Sequence, residues 1–317
     1  MKDKKILILG GTGALGKTLI KRYHEDNDII VFSRDEHKQV KLKNMFKELC
    51  YQIGDVKDKD SLLQAINEYK PDIVINTAAL KHVPICEENP YESVKTNIIG
   101  HRNLIDCVQL SNHEIESLIF ISTDKACKPI NVYGMSKAIS ERLYIDYANK
   151  QRDVKVVLCR YGNVLESTGS VIPYFKKLLQ SGVESLPITD KRMTRFTITL
   201  KESVELIDWA YNHDESHGCI VVPKLKSMFI TDLADVLAKD YGNQDVKFDY
   251  VGIRPGEKLH EEMVSLEESM RSKEFDKYFM ITDEIINNDA WSFSSDTTVI
   301  NDKQELRNFL IEKGVIK

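Results

Sequence analysis

The fold of this chain is decided by residues 5–16, which read KILILGGTGALG. The apolar run Lys5–Leu9 predicts a strand, and an apolar-periodic helix is expected after the glycines. In the G-x-x-G-x-x-G pattern between them, the first glycine permits a tight turn, the second admits a pyrophosphate and the third allows close helix packing. The helix N-terminus adds free N–H groups and a positive dipole end. This context favours dinucleotide binding over a plain turn, and the predicted contacts are Gly10, Thr12, Gly13, Leu15 and Gly16.

Short apolar runs alternate with longer amphipathic stretches through the first half of the chain. This alternation predicts right-handed βαβ units and an α/β fold with a parallel, doubly wound sheet of the Rossmann type. The predicted strands are Lys5–Leu9, Asp28–Phe32, Cys50–Ile53, Asp72–Asn76, Ser117–Ile121 and Val154–Cys159. The predicted helices include Asp60–Tyr69, Tyr91–Leu110 and Val132–Lys150.

The rhythm changes after Arg160, where turn-forming residues gather at 162–170. Further helices are predicted at Pro173–Gln180, Leu200–His213 and Thr231–Asp240, with a short strand near Cys219–Val222. Because 317 residues exceed what one hydrophobic core usually serves, we expect two parts. Residues 1–165 are predicted to form the dinucleotide-binding domain, with parts of the later chain returning to it. Residues 166–317 are predicted to form mainly a smaller C-terminal lobe over the carboxyl edge of the sheet, where such sheets bind ligands.

Composition and charge exclude several classes of protein. Hydrophobic residues make up 42% and charged residues 29%, as in an ordinary soluble protein. The net charge of −5 gives no electrostatic case for nucleic acid or an anionic membrane. No apolar stretch is long enough for a signal peptide or a membrane span, so we expect a cytoplasmic protein. The six cysteines form no C-x-x-C pair, so they predict buried reduced thiols rather than a metal site or disulfides.

The end of the second predicted strand, Phe32-Ser33-Arg34-Asp35, bears on the choice of cofactor. Enzymes that use NAD usually place an acidic residue here to accept the ribose 2′-hydroxyl. Ser33 and Arg34 instead suit a 2′-phosphate, and Arg34 can make a bidentate charge-assisted contact with it. We therefore predict NADP; the alternative is a solvated surface arginine. Asp55 and Val56, after the third strand, are expected near the adenine.

A second motif, Tyr133 with Lys137, forms Y-x-x-x-K at helical spacing, so both side chains face one side. It follows the strand Ser117–Ile121 and the hydroxyl pair Ser122-Thr123, in the chain order of a short-chain dehydrogenase. The tyrosine pKa, ordinarily about 10, must fall before the phenol acts as a base near neutrality. The positive charges of Lys137 and of an oxidised nicotinamide would lower it. We therefore predict a catalytic pair; the alternative is two ordinary helix residues.

Asp124 and Lys125 lie between these elements. A simple dehydrogenase or a 4-epimerase needs only the hydroxyl, the tyrosine and the lysine. An adjacent acid and amine in the same pocket add the capacity for a second proton transfer. This pair therefore predicts elimination in addition to redox chemistry.

Several longer motifs make the chain similar to a known family, the short inverting UDP-N-acetylglucosamine 4,6-dehydratases of bacterial surface-glycan pathways. These enzymes are extended short-chain dehydrogenases/reductases. The motifs are 78–84 (AALKHVP), 122–126 (STDKA), 129–131 (PIN), 160–164 (RYGNV), 187–190 (PITD), 192–196 (RMTRF) and 252–261 (GIRPGEKLHE). Their number and order make the resemblance specific over most of the chain.

The resemblance implies three steps: oxidation at C4 of the sugar, loss of water across C5 and C6, and reduction at C6. Tyr133 would remove the C4 hydroxyl proton, with Thr123 bonding the oxygen. Lys125 would abstract the C5 hydrogen as a neutral amine, and Asp124 would protonate the leaving C6 hydroxyl. Burial and neighbouring positive charge are expected to lower the pKa of Lys125. The tyrosine favours inversion at C5, since related retaining, membrane-attached enzymes often lack it.

The resemblance also assigns binding residues and partners. Ala78, Ala79 and Lys81 would meet the cofactor beside Tyr133 and Lys137, and Lys81 would also reach the substrate. Asn163 would contact the sugar, Arg195 and Arg254 the diphosphate, and Glu257 a ribose; surface ion pairing is the alternative for the last three. The expected partners are UDP-N-acetylglucosamine or a similar nucleotide sugar and further copies of the chain. Neither a metal, a nucleic acid nor a membrane is expected.

Some residues depart from the family pattern. Residues 166–169 (ESTG) replace a Gly-Ser-Arg-Gly segment, Cys127-Lys128 replaces a small residue and an asparagine, and Thr197 replaces an aromatic residue. The missing arginine affects the expected contacts near Thr168. Three other activities stay open: a retaining 4,6-dehydratase, a nucleotide-sugar 4-epimerase and a non-catalytic NADP-binding regulator. Asp124-Lys125 argues against the epimerase, and retention of both Tyr133 and Lys137 argues against the regulator.

Overall fold

A computed structural model describes residues 1–165, 167, 169–243 and 245–317. The strands are β1 Lys5–Leu9, β2 Asp28–Ser33, β3 Cys50–Ile53, β4 Ile73–Asn76, β5 Ser117–Ile121, β6 Lys155–Cys159, β7 Asn163–Val164, β8 Ser185–Ile188, β9 Thr194–Ile198, β10 Ile220–Pro223, β11 Ser227–Phe229, β12 Lys247–Tyr250, β13 Glu262–Val264, β14 Ser272–Glu274, β15 Tyr278–Ile281 and β16 Phe293–Ser294. The α-helices are α1 Ala14–Tyr23, α2 Glu36–Lys43, α3 Lys59–Tyr69, α4 Val83–Glu88, α5 Pro90–Ser93, α6 Gly100–Leu110, α7 Val132–Lys150, α8 Val171–Gln180, α9 Leu200–Asn212, α10 Ile230–Asp240, α11 Leu266–Ser269 and α12 Lys303–Glu312.

A nine-stranded sheet with the order β14-β15-β10-β6-β5-β4-β1-β2-β3 forms the centre of the molecule. The seven strands from β10 to β3 are parallel, and β15 and β14 complete the sheet in antiparallel fashion. The strand order reverses between β1 and β4, which creates the crevice where open α/β sheets bind ligands. The predicted Rossmann-type α/β fold is therefore confirmed.

The glycine-rich turn has the close contacts that its sequence predicts. Gly10 adopts a φ of +75°, and a Cβ there would lie 2.9 Å from the backbone nitrogen of Ala78. A Cβ on Gly16 would lie 2.5 Å from backbone atoms of Gly11. Neither position has room for a side chain, so both glycines are needed for β1, α1 and the segment after β4 to meet.

The predicted helix Tyr91–Leu110 is divided into three parts. It comprises α5, a π-helical segment over Val94–Ile99, and α6. Asn97 lies in the π-helical segment, where its side chain accepts a hydrogen bond from the backbone N–H of Leu80 and donates one to the carbonyl of Leu80, both at 2.8 Å. The segment thus ties this helix to the loop after β4, a contact that helical periodicity does not encode.

Two large clusters of buried apolar side chains pack on the two faces of the nine-stranded sheet. A separate, smaller hydrophobic core forms in the later part of the chain. Helices α8, α10 and α12 pack there with strand β8 around buried side chains such as Phe175, Leu186, Leu237 and Leu310. In contrast, β10, β14 and β15 belong to the nine-stranded sheet. The division of the chain at residue 165 stays a prediction.

The sequence predicted buried cysteines and no membrane-spanning segment. Five cysteines are buried, but Cys50 is exposed, so the expectation of burial is wrong for this residue. It begins β3, an edge strand that pairs with β2 on one side of the large sheet. No helix within the described ranges is long and apolar enough to cross a lipid bilayer.

Candidate active site

The acid–amine pair predicted from the sequence lies directly after β5. Oδ1 of Asp124 accepts a hydrogen bond from Thr123 Oγ1 at 2.9 Å and one from Lys125 Nζ at 3.0 Å. Lys125 Nζ also donates to Asn163 Oδ1 at 3.0 Å. Asp124 is fully buried, and its second oxygen, Oδ2, has no hydrogen-bond partner among the described residues. A buried carboxylate oxygen without a partner is costly, so Oδ2 is a ready position for a proton or a substrate hydroxyl.

The loop that carries this pair packs tightly against the start of α7. Asn131 caps the helix by accepting a hydrogen bond from the N–H of Gly134 at 2.7 Å. A Cβ on Gly134 would lie 2.2 Å from the carbonyl oxygen of Lys125. Gly134, next to Tyr133, thus lets α7 approach the Asp124–Lys125 loop. Gly134 was not among the predicted site residues, although a glycine inside a helix is a visible signal.

Tyr133 and Lys137 both point into the protein. Burial raises the pKa of Tyr133 to about 12, and the charge of Lys125 and a hydrogen bond with Thr123 only partly oppose this. Burial lowers the pKa of Lys137 to about 7, against the charge of Glu141. Lys137 Nζ donates to the carbonyl of Ile121 at 2.6 Å. In the ligand-free protein the pKa of Tyr133 is thus raised, and Lys125 is the cation that opposes this rise. The lowering expected from Lys137 together with an oxidised nicotinamide stays a prediction.

In contrast, the expectation of a lowered pKa for Lys125 is wrong for the ligand-free protein. Burial lowers the pKa of Lys125, but the charges of Asp124 and Glu261 outweigh burial and the opposing charge of Arg195, so the pKa is raised. Glu261 Oε1 lies 3.6 Å from Lys125 Nζ. Lys125 is therefore a charged ammonium between two acids in the ligand-free protein.

The 252–261 motif packs along the loop that carries the acid–amine pair. Lys258 Nζ donates to the carbonyl of Cys127 at 2.6 Å, and Asn131 Nδ2 donates to the carbonyl of Gly256 at 2.8 Å. These contacts join residues more than a hundred positions apart and bring Glu261 to Lys125. The motif was visible in the sequence and its Glu257 was predicted to bind substrate, but Glu261 was not predicted as a site residue.

Three charged residues predicted to bind substrate already have partners. The guanidinium of Arg195 donates to the carbonyls of Thr194, Lys258 and Leu259. Arg254 Nη2 lies 2.6 Å from Glu257 Oε1, so these two residues form an ion pair. The side chain of Arg254 is 63% exposed, which leaves it able to reach a ligand. Diphosphate and ribose contacts of these residues stay predictions.

Other predicted residues lie around the crevice. Lys81 is exposed on the loop after β4, and Asn163 begins β7. Thr168, where the family arginine is missing, lies outside the described residues. At the two further departures from the family pattern, Cys127 Sγ contacts Glu268 Oε2 at 3.4 Å, and Thr197 is buried in β9.

The residues present fit a nicotinamide dinucleotide. The cradle at Gly10, Gly13 and Gly16 opens at the N-terminus of α1, and there a Cβ on Gly13 would meet only the carbonyl of Gly10, at 3.2 Å. Thr12, Leu15, Ala78 and Ala79 lie in or beside this turn. Backbone N–H groups at such a helix start suit a pyrophosphate.

Two predicted cofactor contacts meet at the ends of β2 and β3. Arg34 Nη1 lies 3.5 Å from Asp55 Oδ2, and the arginine side chain is 56% exposed. An exposed pair of this kind is weak, so Arg34 can turn to another anion. Ser33 and Val56 are buried close by, and Ser33 Oγ accepts a hydrogen bond from Gln39.

A buried arginine joins the elements around the site, and it was not among the predicted site residues. Arg160 is 1% exposed and forms hydrogen bonds of 2.7–3.0 Å with Glu141 of α7 and Glu268 of α11. Ser122 Oγ donates to Glu141 Oε1 at 2.6 Å. This network joins the end of β5, α7 and the C-terminal part of the chain. A charged residue directly after the apolar strand β6 was the available signal.

The fold and the site together define a class of protein. A Rossmann-type sheet, a glycine-rich turn after β1, a hydroxyl residue directly after β5 and a Tyr–Lys pair on α7 are features of the short-chain dehydrogenases/reductases. Within this class, the chain belongs to the polysaccharide biosynthesis protein family, whose model matches residues 6–283.

Individual relatives extend this comparison. The chain is 45% identical to an inverting UDP-N-acetylglucosamine 4,6-dehydratase of Campylobacter jejuni, over 89% of this chain and 84% of that one. It is 37% identical to a UDP-glucose 4-epimerase of Rickettsia typhi, over 88% and 83% of the two chains. Among solved structures, Pen from Bacillus thuringiensis superposes with a TM-score of 0.91 at 31% identity, over 99% of both chains.

Proposed function

We propose that this protein is a UDP-N-acetylglucosamine 4,6-dehydratase that uses NADP and inverts the configuration at C5. The product would be a 4-keto-6-deoxy-L-arabino nucleotide sugar for surface-glycan biosynthesis. The observation that carries this proposal is the Asp124–Lys125 hydrogen bond of 3.0 Å, next to Thr123 and Tyr133. The similarity to the Campylobacter jejuni dehydratase supports it.

The first step needs a base and a hydrogen-bond donor at C4. The phenolic oxygen of Tyr133 takes the C4 hydroxyl proton, and Thr123 Oγ1 bonds the same sugar oxygen. The bound dinucleotide supplies the hydride acceptor, the later hydride donor and, when oxidised, a positive charge. The buried hydroxyl of Tyr133 stays protonated in the ligand-free protein, since its pKa is raised to about 12. Proton removal at C4 is therefore expected only in the complete ternary complex.

The second step needs one acid and one base, and the ion pair supplies both by a single proton shift. Lys125 Nζ passes a proton along its hydrogen bond to Asp124, which leaves a neutral amine and a protonated carboxyl. The amine then takes the C5 hydrogen, made acidic by the 4-ketone. The carboxyl gives its proton to the C6 hydroxyl, which departs as water. Lys125 has then gained the proton from C5 and Asp124 has lost one proton to the departing water. The pair therefore returns to its charged state.

The remaining features of the proposal rest on separate supports. NADP is favoured by the exposed, weakly held Arg34 at the end of β2. Assembly with further copies of the chain is supported by the exposed apolar side chains of Ile99, Met135 and Ile139 on neighbouring helical segments. Arg254 and Glu257 are the proposed diphosphate and ribose contacts. A cytoplasmic location remains part of the proposal.

A nucleotide-sugar 4-epimerase is the second candidate, because the Rickettsia typhi relative has that name. It would use Thr123, Tyr133 and Lys137 but would not need Lys125 to be held against Asp124. The buried, unpartnered Oδ2 of Asp124 favours dehydration, since it offers a second proton position.

Product mass separates the two candidates. Incubation with UDP-N-acetylglucosamine and NADP⁺ should give a product lighter by one water, with no net oxidation of the sugar nucleotide. A product of unchanged mass with altered C4 configuration would establish the epimerase instead. Lack of any product with all nucleotide sugars tested would contradict both.

A further inference from the structure

Glu261 is a buried carboxylate beside the proposed proton-transfer pair. Its side chain is 3% exposed, and its Oε1 lies 3.6 Å from Lys125 Nζ. Its backbone N–H donates to Ser295 Oγ at 2.9 Å, which fixes the chain at this point. Within the part of the chain that the structure describes, Oε2 has no hydrogen-bond partner. A buried charge in such surroundings must act on its neighbours through the electrostatic field.

The other cations near Glu261 are held by backbone carbonyls. Arg195 Nε lies 3.9 Å from Glu261 Oε1, but the Nη atoms of Arg195 bond the carbonyls of three residues. Lys258 Nζ lies 3.8 Å from Glu261 Oε2 and bonds the carbonyl of Cys127. Lys125 differs, because all the hydrogen bonds described for its amine go to side chains of the site.

We propose that Glu261 is a positioning residue, which holds the ammonium of Lys125 against Asp124 and Asn163 and keeps one proton on the Asp124–Lys125 pair. The inference rests on the function proposed above and deepens it. Without that proton Asp124 would have nothing to give to the C6 hydroxyl. Glu261 itself takes no proton and touches no reacting atom.

The sign of the effect follows from the charges around the amine. The titratable groups that face Lys125 are Asp124, Tyr133, Arg195 and Glu261, with Lys258 behind Glu261. Without the negative charge of Glu261, only Asp124 would raise the pKa of Lys125, while Arg195 and burial lower it. The Asp124–Lys125 pair should then lose its shared proton at a lower pH. The fall in dehydration rate on the alkaline side of the pH profile should therefore also move to lower pH.

A direct test is competitive amine labelling of the ligand-free protein, in which the labelled fraction of Lys125 is followed by peptide mass spectrometry as a function of pH. Glu261→Gln should lower the apparent pKa of Lys125 by about one unit or more. Glu262→Gln is the matched control, because this neighbour pairs with Lys128 instead, and it should leave Lys125 unchanged. Glu261→Asp keeps the charge but moves it away from Lys125, because the aspartate side chain is shorter, so the pKa of Lys125 should fall by less. An unchanged pKa of Lys125 in both Glu261 variants would overturn the proposal.

The pH dependence of dehydration separates this inference from the proposed function. The alkaline fall of kcat/KM should move to lower pH in both Glu261 variants, and by more in Glu261→Gln than in Glu261→Asp. If the unaltered protein forms no dehydrated product, the proposed function fails, whereas the labelling result still decides the action of Glu261 on Lys125. If the unaltered protein dehydrates and the alkaline fall does not move in Glu261→Gln, the positioning role fails alone.

Discussion

Arg160 and Glu268 lie 108 positions apart in the chain, yet the guanidinium of Arg160 bonds both carboxylate oxygens of Glu268 at 2.8 Å in the interior. The same guanidinium bonds Glu141 on the helix that carries Tyr133. One buried cation therefore joins the helix that carries Tyr133 to the C-terminal part of the chain.

Replacement of this arginine should be strongly destabilising. Arg160→Met would leave the two buried carboxylates of Glu141 and Glu268 without the cation that pairs with them, so the free energy of unfolding should fall by about 3–5 kcal/mol. Arg192→Met is the matched control: Arg192 pairs with Asp190 at the surface, where solvent screens the charges, so its loss should change the free energy of unfolding far less. Denaturant titrations of both variants test this. Equal stability of Arg160→Met and the unaltered protein would show that the network carries no net stabilisation.

Acid stability should depend on Glu268. Burial raises the pKa of Glu268, but the charge and hydrogen bonds of Arg160 outweigh it and bring the pKa to about 2. A carboxyl with a lowered folded-state pKa stabilises the fold above its unfolded pKa and loses that contribution as pH falls toward the folded value. The free energy of unfolding should therefore decline between about pH 4.5 and pH 2. In Glu268→Gln this part of the decline should be absent, as measured by unfolding at a series of pH values. A decline of the same slope in the variant would assign it to other carboxyls.

Cofactor preference should depend on Arg34. NADP⁺ should bind more tightly than NAD⁺. Arg34→Ala should reduce the difference in binding free energy between the two dinucleotides by about 1–3 kcal/mol, the scale of a charge-assisted contact. Lys38→Ala serves as control, because Lys38 is a nearby exposed cation that pairs with Asp35. Calorimetric titration with both dinucleotides measures the gap. Equal affinities in the unaltered protein would contradict the NADP assignment.

The two proton-transfer positions should be separable by mutation. Lys125→Ala should stop dehydration while C4 oxidation continues, so reduced cofactor accumulates with bound sugar. Tyr133→Phe should suppress the reduced cofactor as well, because the C4 proton then has no acceptor. Absorbance of the reduced nicotinamide and product mass follow the two steps. Normal dehydration by Lys125→Ala would mean that another residue removes the C5 hydrogen.

The stereochemical outcome at C5 can be read in heavy water. Reprotonation on the face opposite to proton removal should place deuterium at C5 of an L-arabino product. NMR at early times, before any epimerisation in solution, reports both the isotope and the configuration. A D-xylo product at the earliest time points would exclude inversion but leave the dehydratase proposal intact.

Much of the framework could be predicted because it depends on local patterns. Strand β1, strand β3 and helix α7 have the predicted bounds, since apolar periodicity and capping residues are encoded within a few positions. The helix predicted over Tyr91–Leu110 is instead interrupted at Val94–Ile99, where Asn97 bonds the loop after β4. A partner in a distant loop leaves no trace in the periodicity of the helix itself.

By itself the sequence determined the dinucleotide fold, the Tyr133–Lys137 pair and the neighbouring Asp124–Lys125 pair, because each is a short motif with a local physical meaning. Only the tertiary structure decided the electrostatics of the site. Glu261 approaches Lys125 from 136 positions away, and the charges of Asp124 and Glu261 together raise a lysine pKa that burial alone would lower. Arg195, expected at the diphosphate, bonds backbone carbonyls in the ligand-free protein. Charge–charge energies depend on distance in space and on burial, and the folded chain sets both.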